Sequence, residues 1–170
     1  VDDVIDDNNI TYKIVTAPAT STDPHYSLLN ANDVSVVNVD DEVPGVIVST
    51  ISGPTTEAGG TATFTVKLSS QPSANVSIGL SSSDTTEGTV SPALLTFTPA
   101  NWNTPRTVTV KGVDDQMVDG NITYKIITGA ASSADPAYNG RAVADVTVVN
   151  KDDPGNADAR RFIFLPLIRR

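Results

Sequence analysis

The chain contains no cysteine, a single histidine and few aromatic residues, which make up 5% of its 170 positions. The lack of cysteine excludes disulfide frameworks, thiolate zinc sites, iron–sulfur clusters and a cysteine nucleophile. The single histidine, His25, excludes a multi-histidine metal site and leaves little for histidine-based acid–base chemistry. No apolar run approaches the ~20 residues that a membrane-spanning helix needs. These absences predict a protein that is not an enzyme and has no membrane span.

The charge is strongly negative and unevenly distributed. Asp and Glu number 20 against 11 Lys and Arg, for a net charge of −9. Phosphate backbones require basic surfaces, so this balance predicts that nucleic acid is not a partner. Residues 160–170 are the exception, because they hold four arginines and no acid. The sequence therefore consists of an acidic body and a basic C-terminal segment.

An ungapped internal repeat defines the domain organisation. Residues 1–41 match residues 113–153 at 23 positions, and Asn-Ile-Thr-Tyr-Lys-Ile at residues 9–14 recurs at residues 121–126. A repeat of this kind indicates tandem structural units. We expect residues 1–43 to be the second half of one unit and residues 44–153 to be a complete unit. Residues 154–170 are interpreted as a linker and an apolar, basic strand.

The complete unit has the two-residue periodicity of half-buried β-strands. Polar and apolar residues alternate in its Thr-, Val- and Ile-rich segments, and Gly, Pro, Asn and Ser separate them. The predicted strands are A (46–50), B (61–68), C (75–80), D (93–98), E (106–112), F (121–128) and G (142–150). Residues 9–16 and 32–39 repeat strands F and G. Seven short strands in this length predict an all-β fold, an immunoglobulin-like Greek-key β-sandwich.

Acidic residues follow one pole of the predicted sandwich. In this topology the A–B, C–D and E–F loops and the end of strand G meet at one end of the domain. The acids in these segments are Glu57, Asp84, Glu87, Asp114, Asp115, Asp119, Asp152 and Asp153. Converging carboxylates repel one another unless a cation neutralises them, and six to eight oxygen ligands suit Ca²⁺. The sequence therefore predicts a calcium site that is not an EF-hand, since the EF-hand motif is absent.

The first half-unit repeats the acidic pattern. Its acids at the corresponding positions are Asp2, Asp3, Asp7, Asp40 and Asp41. The last two lie a few residues before Pro44, where the complete unit begins. We hypothesise that calcium held there stiffens a tandem array, and that a chelator lowers its stability and changes the interdomain angle.

Several motifs of the complete unit resemble the Calx-β family. They are residues 55–64, residues 95–102, residues 106–110 and residues 113–115. The family consists of immunoglobulin-like sandwiches that occur in sodium–calcium exchangers and, in tandem, in bacterial surface proteins. The resemblance covers residues 44–153 and the half-unit at 1–43. It implies an extracellular or cell-surface location, in a bacterium.

The resemblance also implies a set of calcium ligands. The family's ligands precede strand B and follow strands E and G, which correspond here to Glu57, Asp114, Asp115, Asp152 and Asp153. The C–D loop, residues 81–88, departs from the family's usual Asp-Tyr-containing stretch. The complete predicted ligand set is Glu57, Asp84, Asp114, Asp115, Asp119, Asp152 and Asp153, together with Asp2, Asp3, Asp7, Asp40 and Asp41 of the half-unit.

The C-terminal segment is apolar and β-prone between its arginine pairs. Its predicted assembly residues are Phe162, Ile163, Phe164, Leu165, Leu167 and Ile168. An exposed strand of this composition is prone to aggregation. It can fold back as an eighth strand, act as a sorting signal, or add to the open half-unit of another subunit by strand donation. Donation is a head-to-tail contact and would build a filament.

Together these features predict an extracellular structural protein. It would be a calcium-rigidified sandwich repeat of a surface stalk or filament, and its partners would be tandem neighbours or other copies of itself. The alternatives are a calcium-sensing regulatory module and a glycan-binding adhesin domain with a surface glycan or host protein as partner. A sensor responds near micromolar calcium and an extracellular strut near millimolar calcium.

Overall fold

The computed structural model describes residues 3–115, 117 and 119–152, which form two compact units divided between Val43 and Pro44. Asp2, Asp153 and the predicted assembly strand lie outside the described residues. The regular secondary structure of the described part consists of strands: β1 (Ile10–Ile14), β2 (Val34–Asn38), β3 (Val46–Val48), β4 (Thr55–Thr56), β5 (Thr61–Leu68), β6 (Val76–Ser82), β7 (Gly88–Ser91), β8 (Leu94–Phe97), β9 (Arg106–Gly112), β10 (Ile122–Thr128), β11 (Ser132–Ser133) and β12 (Val146–Lys151). It holds no helix long and apolar enough to cross a membrane.

Two sheets form the larger unit, which confirms the predicted all-β, immunoglobulin-like sandwich. One sheet has the order β3-β5-β9-β7, and the other has the order β11-β6-β10-β12-β4 with β8 on the far edge of β6. All neighbours are antiparallel except β12 and β4, which are parallel. The smaller unit is the antiparallel pair β1–β2.

The alternation seen in the sequence places every second side chain of each long strand in the core. β5 and β9 bury Phe64, Val66, Val108 and Val110, each at most 2% exposed. β6, β8, β10 and β12 bury the opposing residues Ile78, Phe97, Tyr124, Ile126 and Val148. Removing these apolar side chains from water is the main source of stability of the sandwich.

All seven predicted strands of the complete unit are present, with two differences. Strand G begins at Val146 rather than at residue 142, because side-chain bonds hold the preceding residues. Thr128 N–H donates to Asp145 Oδ1 (2.9 Å), and the Thr128 hydroxyl donates to Val143 O (3.0 Å). The short strands β4, β7 and β11 were not predicted, and β7 lies beside β9 while predicted strand D (β8) joins β6.

Candidate metal centre

The connections that carry the predicted acids meet at one end of the larger unit, which we call the acidic pole. Its members are Glu57 after β4, Asp84 and Glu87 between β6 and β7, Asp114, Asp115 and Asp119 between β9 and β10, and Asp152 after β12. Backbone contacts join these connections. Val113 N–H donates to Glu87 O (3.0 Å), and Glu57 N–H donates to Lys151 O (3.0 Å).

Three carboxylates of the acidic pole form a tight cluster. Oxygen atoms of Glu87, Asp115 and Asp119 all lie within 4.8 Å of one another. Glu87 is buried, Asp115 is half-buried and Asp119 is exposed. The cluster is therefore open to solvent on one side and could hold a metal ion.

Glu87 owes its fixed position to Asn150, a buried polar residue of β12. The Asn150 side-chain N–H₂ donates to Glu87 Oε2 (3.2 Å) and to Val113 O (3.0 Å). The Thr55 hydroxyl donates in turn to Asn150 Oδ1 (2.9 Å). The side-chain amide of Asn150 thus connects the end of β12 to β4, to the β6–β7 connection and to the residue that follows β9.

Small residues make room for this network. A Cβ at Gly112 would collide with Thr56 O and lie 2.5 Å from Asn150 Oδ1. A Cβ at Gly88, the neighbour of Glu87, would collide with the Tyr124 hydroxyl. Both strand glycines are therefore required by close packing under the acidic pole.

The electrostatic environment of the cluster penalises the ionised form of Glu87. Burial raises the pKa of Glu87, the bond from Asn150 opposes that rise, and the charges of Asp119, Asp115 and Asp84 add to it. Burial also raises the pKa of Tyr124, and the charge of Glu87 contributes. A cation in the cluster would reverse these penalties by pairing with the ionised carboxylates.

Asp152 supplies an oxygen that no described residue satisfies. Its Oδ2 accepts from Gly120 N–H (3.1 Å), next to Asp119, and its own N–H donates to Asn121 Oδ1 (3.2 Å). Its Oδ1 is buried and has no hydrogen-bond partner among the described residues. A buried carboxylate oxygen without a donor is costly unless a cation or water binds it. The donor set therefore fits a bound cation.

Three other predicted ligands of the complete unit, Glu57, Asp84 and Asp114, are not members of the three-carboxylate cluster. Glu57 is buried and Asp114 is exposed. Asp84 Oδ1 accepts from Thr86 N–H (3.0 Å), and the Thr86 hydroxyl and N–H lower the pKa of Asp84. Asp153 is outside the described residues. Conversely, Glu87 is central to the cluster although the predicted ligand set omits it.

The half-unit has an acidic cluster of its own. Asp3, Asp7, Asp40, Asp41 and Glu42 line one small polar cavity with Asn38 and Val39. Burial acts to raise the pKa of Asp40, but hydrogen bonds with Glu42, Asp6 and Asn8 N–H lower it overall. The same bond with Asp40, aided by burial, raises the pKa of Glu42. The structure thus brings together four of the five acids predicted here; Asp2 lies outside the described residues.

Comparisons with known proteins concern the fold. No protein-family model matches the chain, and no curated protein matches it in sequence. A solved structure of SSP-19, an MSP-domain protein like family member from Caenorhabditis elegans, is 16% identical; the match covers 61% of this chain and 98% of that one, with a TM-score of 0.37. Domains 4 and 5 of the S-layer protein SbsC are 13% identical over 86% of this chain and 70% of theirs (TM-score 0.39). Domains 1–6 of the surface layer protein SbsC are 21% identical over 71% of this chain and 14% of theirs (TM-score 0.35).

Proposed function

We propose that this protein is a non-catalytic, extracellular structural repeat whose acidic pole binds Ca²⁺. The observation that carries the proposal is the convergence of Glu87, Asp115 and Asp119 within 4.8 Å. The unpartnered Asp152 Oδ1 in the same pole supports it. The location is a bacterial cell surface, as the resemblance to Calx-β repeats suggests.

The chemistry of the donor set favours calcium over other cations. The cluster offers oxygen ligands only, and hard cations prefer oxygen, whereas zinc and copper prefer nitrogen and sulfur. Its members come from two connections and differ in burial, so the geometry of the ligands is irregular. Ca²⁺ tolerates such irregular geometry and Mg²⁺ does not. Of the ligands that the Calx-β resemblance implies, Asp115 belongs to the cluster and Asp152 lies beside it.

Calcium would act as a staple in a protein that has no disulfides. Glu87 precedes β7, Asp115 and Asp119 follow β9, and Asp152 follows β12. An ion bound to all four would join both sheets at one end and neutralise part of the net charge of −9. In tandem units, each with its own acidic cluster, the same staple would stiffen a stalk or filament.

Titration calorimetry of the full chain with CaCl₂ tests this proposal. We expect binding at the acidic pole that weakens about tenfold or more in Glu87→Gln and in Asp119→Asn, because each removes one ligand charge. Asp145→Asn is the matched control, since it removes the same charge at the far end of β12 and keeps the acceptor for Thr128. Equal affinity in all four proteins would contradict the site. A millimolar Kd supports a strut, and a micromolar Kd supports the calcium-sensing alternative.

We further propose that the apolar segment of residues 162–168 joins subunits head to tail by strand donation. Each strand of the β1–β2 pair has only one strand neighbour among the described residues, so each offers an edge for pairing. The arginine pairs that flank the segment complement the acidic body. Deleting residues 160–170 should abolish filaments seen by electron microscopy; unchanged filaments would exclude donation.

A further inference from the structure

The smaller unit presents an apolar sheet face to solvent. Ile10, Tyr12 and Ile14 of β1 lie on one face and are 45%, 50% and 53% exposed. Val34 of β2, the partner of Ile14 in the strand register, is 52% exposed, and Val36 is the partner of Tyr12. Contiguous apolar surface of this kind marks an interaction site.

The internal repeat identifies what covers this face. In the larger unit, Tyr124 pairs with Val148 and Ile126 with Val146, in the same register as their counterparts in β1–β2. All four are at most 7% exposed there. The same side chains in the same register are thus buried in one unit and exposed in the other. This difference in exposure comes from the opposing sheet β3-β5-β9-β7, which, among the described residues, belongs to the larger unit only.

The half-unit is already folded as its repeat is. Thr16 N–H donates to Asp33 Oδ1 (3.1 Å), as Thr128 N–H does to Asp145 Oδ1 (2.9 Å). The Thr16 hydroxyl donates to Ala31 O (2.6 Å), as the Thr128 hydroxyl does to Val143 O. The face is therefore preformed and needs little rearrangement to bind a partner.

A polar pair beside the face specifies the partner further. In the larger unit, the Tyr138 hydroxyl donates to Ser70 O (2.7 Å), and Asp135 Oδ2 accepts from Ser73 N–H (2.7 Å). Both serines lie in the connection between β5 and β6. The counterpart of Tyr138 is Tyr26, which is 62% exposed, while Tyr138 is 1% exposed. The half-unit thus presents the groups that recognise a β5–β6 connection.

Residues 44–112, whether of this copy or of another, do not supply the missing sheet without uncovering β10 and β12. The 170 residues contain two second halves, 1–41 and 113–153, but one first half, 44–112. That first half already buries β10 and β12 in its own unit. Exchange of residues 44–112 between two copies would leave either β1–β2 or β10–β12 of each copy uncovered.

We propose that the β1–β2 face binds a first-half sheet of this repeat, carried by polypeptide outside these 170 residues. The partner is a four-stranded antiparallel sheet with an alternating apolar face, equivalent to β3-β5-β9-β7. Its connection equivalent to residues 69–75 presents backbone groups to Tyr26 and to Asp23, which is the counterpart of Asp135 in the repeat. The face takes a sheet, whereas a donated single strand would occupy only an edge, so this proposal goes beyond the assembly proposed above.

Grafting a second copy of residues 44–112 directly before Val1 of the full chain tests the proposal. Hydrogen exchange should slow at the β1–β2 amides by about 100-fold or more, toward the level of β10–β12, because exchange then requires opening a cooperative sandwich. The matched control carries Val66→Asp and Val108→Asp in the graft only. Unchanged exchange in the intact graft would overturn the proposal. So would loss of β1–β2 protection in the original chain on deletion of residues 160–170, since the tail would then be the occupant.

A chimera keeps the test independent of how the graft folds. Residues 113–152 of the larger unit are replaced by residues 1–40, so that β1–β2 must complete β3-β5-β9-β7. We expect cooperative unfolding, reported by the fluorescence of Trp102, which packs against the core of that unit. A chimera that shows no cooperative transition contradicts the complementarity of face and sheet.

Discussion

At the scale of single residues, Glu87 combines burial with proximity to like charge. Its pKa is raised above the ordinary value of 4.5, first by burial and then by the neighbouring aspartates. The folded protein therefore binds this proton more readily than the unfolded chain does. It follows that the contribution of Glu87 to stability is largest below pH 4.5 and is lost as pH rises through the folded pKa.

We predict that Glu87→Gln stabilises the calcium-free protein at neutral pH. The amide oxygen still accepts from Asn150, and the buried charge is gone. The free energy of unfolding should rise at pH 7, where the ionised carboxylate is penalised by burial and by the neighbouring aspartates, and should change little at pH 4. Urea unfolding in chelator at both pH values, followed by Trp102 fluorescence, measures this. Equal effects at the two pH values would show that Glu87 does not titrate as described.

Gly88 gives a second prediction, about the packing under the cluster. In Gly88→Ala the new methyl group meets the hydroxyl and ring of Tyr124, which is 4% exposed and cannot move aside. Overpacking of this kind should destabilise the protein by about 1–3 kcal/mol.

Gly79→Ala in β6 is the matched control for this substitution. A Cβ there has no atom within 4 Å, so its effect should stay within about 0.5 kcal/mol. Thermal unfolding of both variants measures this difference in stability. Equal melting temperatures would contradict the close approach of Gly88 and Tyr124.

Much of the candidate site could be predicted from the spacing of acids along the chain. Strand order alone brings the loops of one pole together, which predicts Glu87, Asp115, Asp119 and Asp152 at that pole; their role as ligands stays a prediction. The role of Glu87 could not be found in this way, because it depends on its burial, on the space at Gly88 and on the amide of Asn150. The one available signal was a polar Asn at an inward position of predicted strand G, repeated as Asn38.

At the scale of elements, Tyr138 joins two connections of the larger unit. It lies between β11 and β12, and its hydroxyl contacts Ser70 in the connection between β5 and β6. Its buried hydroxyl donates to Ser70 O and accepts from Ser70 N–H (3.2 Å). We predict that Tyr138→Phe costs about 1–2 kcal/mol, because it leaves both backbone groups unpaired in the interior. Denaturant unfolding followed by Trp102 fluorescence measures the loss.

The repeat provides the control for Tyr138→Phe. Tyr26 is its counterpart in the half-unit and is exposed, so Tyr26→Phe should change stability by no more than about 0.5 kcal/mol. Similar losses in the two variants would mean that Tyr26 is engaged in solution, contrary to the structure.

The long strands were predicted well because each has one buried and one solvated face. Predicted strands B and E coincide with β5 and β9 to the residue, and both are central in their sheet. β4 and β11 have two residues each and are too short to show a period. Strand β7 was not predicted because its pairing with β9 depends on tertiary structure, which the local alternation of polar and apolar residues does not encode.

At the scale of the whole molecule, an acidic, cysteine-free chain must gain rigidity without disulfides. In each unit several of its described carboxylates lie close together. Repulsion within each cluster weakens the calcium-free fold, and the same charges would bind a divalent cation. We therefore expect the stability of this protein to depend on calcium.

Thermal unfolding of the full chain in about 2 mM CaCl₂ and in chelator tests that dependence most directly. A ligand that binds only the folded state raises the melting temperature, by several degrees when its concentration exceeds Kd tenfold or more. We predict this rise for the native sequence, a much smaller one for Glu87→Gln combined with Asp119→Asn, and little change with magnesium. Identical melting curves of the native protein with calcium and with chelator would contradict it.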